Sequence, residues 1–110
     1  FTTNVEDGHG HGTHVAGIAL GAKNDSGVHG VAFNSSLLPV KVCTDSGSCN
    51  PNDVIQGLSY SADNNAKVVN ISIGGYDFSN YTKSKRYTLP MLEKVQKNGS
   101  FVAVAAGNNG

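Results

Sequence analysis

Three of the four histidines fall in one glycine-rich stretch, Asp7-Gly-His-Gly-His-Gly-Thr-His-Val-Ala-Gly17, and two chemistries use such an arrangement. The first is nucleophilic catalysis. A ring at the start of a helix meets the positive end of the helix dipole, which disfavours imidazolium and keeps the ring neutral, as a general base requires. His11 has that place if a helix starts there, and Gly10 and Gly12 leave it open to substrate. The second chemistry is metal binding by His9, His11 and His14, with Thr13 standing where a second metal would want a carboxylate. A plain glycine loop whose histidines are satisfied by backbone groups is the third reading, and it suits His9, His14 and His29 best.

The elements that position these residues follow a βαβ rhythm of short β-branched runs alternating with segments of helical period. The first helix is expected from His11–Thr13 to about Leu20, with Val15, Ile18 and Ala19 apolar and Ala16 and Gly17 permitting close packing. Residues 36–42 read as a strand, with Pro39 removing one ladder donor. Asn50 is a good N-cap and Pro51 a good first helical residue, so a second helix runs to about Asn65, burying Val54, Ile55, Leu58 and Ala62. Lys67 to Ile73 is a continuous apolar strand of the kind found in parallel sheets. A polar loop, Tyr76 to Tyr87, leads to a third helix marked by Leu89, Leu92 and Val95 and ended by Asn98-Gly99, before a last strand at Phe101 to Ala106. In such sheets the ligand site lies beyond the carboxyl ends of the strands, here Gly74-Gly75 and Gly107 to Gly110.

Composition narrows the partners. The 110 residues are about one domain's worth, and eight basic side chains balance eight acidic ones without clustering, which leaves no stripe for nucleic acid. No apolar run approaches the about 20 residues that span a bilayer, and the N-terminus is too polar for a signal peptide. Cys43 and Cys49 flank the turn-forming segment Thr44 to Ser48, so a small disulfide loop is favoured over two reduced thiols, and two ligands are too few for structural zinc. A disulfide would place the protein outside the cytoplasm.

The segment His11-Gly-Thr-His-Val-Ala-Gly17 resembles the histidine motif of the subtilisin-like serine proteases, and the likeness continues through Gly27-Val-His-Gly-Val-Ala32. Asn70-Ile-Ser-Ile-Gly-Gly75 is similar to the family's substrate-binding strand, and Ala105-Ala-Gly-Asn108 to its oxyanion segment. Three motifs in order cover the chain from about His11 to Gly110. By contrast, the metal reading rests on similarity to the histidine spacing of metallo-β-lactamase-like hydrolases, without their aspartate and without a buried strand before it.

The resemblance implies an α/β fold, a parallel sheet with helices on both faces in three αβα layers, of which residues 1–110 are the central part. It makes His11 the catalytic histidine and Asn108 the oxyanion donor, with His14 at a buried supporting position. Ser72, Ile73 and Gly74 would pair with substrate, and Ala105, Ala106 and Gly107 would line a roomy, apolar-tolerant S1 pocket, with Val54 walling an outer subsite. The loop Ala22 to Val28 aligns with a calcium loop, where Asn24 would give a side-chain oxygen and Ala22, Ser26 and Val28 carbonyls. No cofactor is required for the chemistry. Asn34, Asn70, Asn80 and Asn98 match the glycosylation pattern, Asn70 at a position expected to be buried. The implied function is a secreted or cell-surface endopeptidase acting on peptides or proteins through an acyl-enzyme. The family's Asp-Thr/Ser-Gly strand and Gly-Thr-Ser-Met-Ala helix do not occur in these residues, Asp7 does not match the former, and the 110 residues alone are expected to be inactive. The alternative is a non-catalytic module of the same fold, which has no need of both His11 and Asn108.

Overall fold

The computed structural model describes residues 3–74 and 84–108, in two compact units, Phe1–Ser48 and Cys49–Gly110. In the first, helix α1 spans His11–Leu20. It begins at Gly10, whose φ of 100° is the left-handed conformation that glycine adopts without strain. Although α1 is largely apolar, it buries none of its residues, and Ile18 is 61% exposed. Its C-terminal carbonyls are met by the returning chain: the amides of Val31 and Ala32 donate to Ile18 (3.3 Å) and Ala19 (2.8 Å), and that of Gly30 to Gly21 (2.8 Å). Gly30 is buried at this crossing, and a Cβ there would overlap the backbone nitrogens of Leu20 and Gly21.

Residues 36–42 belong to no strand. Their short apolar run suits a strand, but a ladder also needs a neighbour, and among the described residues none pairs with them. Cys43 and Cys49 are disulfide-bonded, and the intervening turn is closed by Gly47 N–H donating to Thr44 O (3.0 Å) and Thr44 N–H to Ser48 O (2.8 Å).

In the second unit Asn50 caps helix α2, Pro51–Asp63, by accepting the Asn52 amide at 2.9 Å, with Pro51 leading the first turn. Strand β1, Val68–Ile71, is followed by a π-helical turn, Ser84–Thr88, that runs into helix α3, Leu89–Lys97, and then strand β2, Phe101–Val104. The expected loop at residues 76–87 falls mostly outside the described residues, as does Gly75. The two strands pair in parallel, Val68 opposite Phe101 and Ile71 opposite Val104. Leu58, Ala62 and Val95 form the core, with Val69, Ile71, Met91, Leu92 and Val102 packed on it. Ser61 and Ser100 are buried with their hydroxyls satisfied by Gly57 O (2.8 Å) and Ala66 O (2.6 Å). The helices thus cover the sheet face carrying Val69, Ile71 and Val102, while Val68 and Phe101, pointing the other way, are 65% and 69% exposed. Among the described residues no helix is long and apolar enough to cross a membrane.

The Gly30 crossing gives a direct test. Gly30→Ala in the full-length protein should cost at least the about 1–3 kcal/mol typical of overpacking, because the obstruction is backbone rather than a movable side chain. Equilibrium denaturant unfolding measures it, and an unchanged midpoint would contradict the packing described.

Candidate active site

His11 is the first residue of α1 and is exposed. What fixes it is Asp7. One carboxylate oxygen, Oδ1, accepts the amides of His9 (3.1 Å) and Gly10 (2.8 Å), and the other, Oδ2, accepts the amide and hydroxyl of Thr13 (2.9 and 2.6 Å). Gly10 has no side chain to cap the helix, so an anion three residues earlier does so, where both the free amides and the dipole favour it. These bonds, the Thr13 hydroxyl foremost and then the amides of Gly10, Thr13 and His9, hold the Asp7 carboxyl well below the usual carboxylate range. Sequence reasoning set Asp7 aside because it does not match an aspartate motif; the available signal was an acidic residue followed six positions later by a helix-starting threonine, with glycine between.

A second carboxylate reaches the same segment. Asp45 in the disulfide loop pairs with Lys41 at 2.5 Å and accepts the amide of Gly8 at 3.3 Å, and the Lys41 ammonium, through its hydrogen bond and its charge, lowers the Asp45 pKa. Lys41 also donates to Glu6 O. His9 accepts the His11 amide at Nδ1 (3.4 Å), and the two rings meet edge to face, centroids 6.4 Å apart. Among the described residues no three histidine, cysteine, aspartate or glutamate side chains group as metal ligands, so His9, His11 and His14 form no such cluster.

The other site residues lie in the second unit, and parallel pairing brings them together. Ser72, Ile73 and Gly74 leave the carboxyl end of β1; Ala105, Ala106, Gly107 and Asn108 leave the carboxyl end of β2. The Ala105 amide extends the ladder to Ile71 O at 3.0 Å, which keeps the two segments side by side as they depart. Ser72 and Ile73 are half-buried, and its Oγ holds the Asn70 carboxamide at 2.9 Å; Gly74 and Ala105 to Asn108 are exposed. Gly107 has φ 85°, a left-handed conformation that glycine adopts without strain. Val54 is half-buried on α2.

Of the remaining positions, His14 and Asn70 differ from what the sequence implied, and His29 agrees with it. His14, placed at a buried supporting position, is exposed, because nothing among the described residues packs over that side of α1. His29 approaches Gly30 O with Nδ1 at 3.2 Å and stacks edge to face on Phe33 at 5.3 Å, the satisfied histidine the sequence allowed. In the loop 22–28, Asn24 Oδ1 accepts the Ser26 amide at 3.3 Å, and the Asn24 carbonyl accepts it too. The side-chain oxygen assigned to calcium is thus used in an Asx turn, and this loop alone falls short of the 6–8 oxygens calcium takes. Asn70 is exposed rather than buried.

A family model described as the subtilase family matches residues 2–110. Subtilisin DY of Bacillus licheniformis is 39% identical over 94% of this chain and 36% of its own length. Subtilisin of Bacillus pumilus is 39% identical over 99% of the chain and 38% of its length. Thermitase of Thermoactinomyces vulgaris is 40% identical over 96% and 36%. The chain therefore spans little more than a third of these relatives.

Because the Asp7 carboxyl is lowered by folding, it stabilises the protein above its unfolded value, near 3.8, and that contribution disappears as pH falls toward the lower folded value. The melting-temperature gap between the native protein and Asp7→Asn should be widest above about pH 5 and close progressively in more acidic buffer. A gap that stays constant with pH would contradict the cap.

Proposed function

The chain belongs to the subtilase family, and on that footing we propose that the protein containing it is a serine endopeptidase in which His11 is the general base and Asn108 an oxyanion donor. The observation that carries this reading is the departure of Ser72–Gly74 and Ala105–Asn108 side by side from one edge of a parallel sheet. A peptide substrate would add as a strand along Ser72 to Gly74, where the missing side chain of Gly74 admits close backbone approach. Its P1 side chain would lie against Ala105, Ala106 and Gly107, small and uncharged, so the pocket accepts apolar groups and offers nothing to select a basic one.

In the proposed reaction a serine Oγ attacks the scissile carbonyl carbon while His11 takes the hydroxyl proton. The carbonyl π electrons move to oxygen, and the Asn108 side-chain amide donates to the oxyanion. Collapse breaks the C–N bond, and the amine leaves with the proton from His11. Water, deprotonated by the same ring, then hydrolyses the acyl-enzyme. No serine here has the Gly-Thr-Ser-Met-Ala context, so the nucleophile belongs to another segment of the protein. The disulfide between Cys43 and Cys49 supports an extracytoplasmic location. Calcium at Ala22, Asn24, Ser26 and Val28 belongs to the proposal only if Asn24 exchanges its bond to Ser26 for the ion and further oxygens complete the shell.

Initial rates of the full-length protein on a chromogenic peptide test the assignment. Asn108→Ala should lower kcat by about 10²–10³-fold, a magnitude borrowed from subtilisin's own oxyanion asparagine, with KM nearly unchanged. Unimpaired kcat would remove Asn108 from the reaction.

A further inference from the structure

We propose that Asp7 is a positioning residue for the His11 base, acting through the backbone on both sides of it. The inference rests on the reading of His11 as that base. Two of the carboxylate's hydrogen bonds go to residues before His11 and two to Thr13 after it, so one side chain closes a bracket around the histidine. Both oxygens are committed to these donors, which separates Asp7 from an aspartate that would orient the imidazole directly.

The need for such a bracket is visible in the same segment. Among the described residues none buries any of residues 3–14, so within this chain hydrogen bonds alone order them. Gly8, Gly10 and Gly12 give the backbone maximal freedom, and Gly10 at φ 100° sits where other residues are strained. Asp45 holds the segment at Gly8 and Asp7 holds it at residues 9, 10 and 13. Since a displacement of about 1 Å can cost about 10²-fold in rate, a base that follows so many glycines depends on these bonds for turnover rather than only for stability.

The test uses the full-length protein at a temperature far below its melting point, with active sites counted by burst titration. Asp7→Ala should lower kcat per active site by about 10–100-fold while KM stays within about twofold. Thr13→Val should act in the same direction, Thr13→Ser should restore the rate, and Asp7→Ala with Thr13→Val should be far from additive because the two residues form one unit. In histidine-labelled protein the His11 imidazole resonances should broaden in Asp7→Ala and sharpen again in Thr13→Ser against Thr13→Val. His11→Ala is the control. If it is inactive while Asp7→Ala keeps full kcat and loses only melting temperature, Asp7 is structural and the inference is overturned. If Asp7→Ala raises KM at constant kcat, the inference is likewise overturned. If His11→Ala retains activity, the assignment of the base falls and the positioning role with it.

Discussion

The parallel register of β1 and β2 decides what the second unit can do. Parallel strands end on the same edge, so residues 33 positions apart in sequence, Ile71 and Val104, end opposite one another and the segments that follow them leave side by side. An antiparallel pair would send Ser72–Gly74 and Ala105–Asn108 to opposite ends of the sheet. The register in turn depends on α3, whose Val95, fully buried, joins Leu58 and Ala62 of α2 over Val69, Ile71 and Val102. Burial of Val95 and Leu58 contributes roughly 1.5–3 kcal/mol each, so a few residues in the right layer hold the pairing in place. Ser100 ties the start of β2 to Ala66 just before β1, which fixes the register at its other end.

The first unit is organised on a different principle. Its helix is apolar yet buries nothing, and what order it has comes from polar bonds: Asp7 at the N-terminus of α1, the crossing of Gly30 to Ala32 at its C-terminus, and Asp45 reaching Gly8 from the disulfide loop. Exposed ion pairs such as Lys41 with Asp45 contribute little individually. A carboxylate accepting four donors at a helix start is a different matter, because it satisfies amides that the helix itself leaves open.

Much of this was legible before the structure. The first helix, the Asn50 cap, the Pro51 start and the Asn98-Gly99 stop are local signals, and each lies within about one turn of where it was read. The strand at residues 36–42 was misread because a short apolar run reports strand propensity, not a partner. His14 is exposed in this chain for a related reason, since burial depends on what covers a helix and not on the helix's own residues. Asp7 was weighed only against the aspartate motif and set aside, because its role as a cap depends on the left-handed turn at Gly10 that brings it back onto Thr13. His11 and Asn108 stood out through their motifs, while the adjacency of Ser72–Gly74 and Ala105–Asn108 required the parallel pairing.

The central claim is that His11 activates a serine in the full-length protein, and covalent labelling by a fluorophosphonate probe addresses it most directly, because the probe reacts efficiently only with an activated serine hydroxyl. The account predicts near-stoichiometric labelling of the native protein and its loss in a folded His11→Ala variant. A native protein that is folded by circular dichroism yet takes no label would contradict it and identify the chain as part of a non-catalytic member of the family.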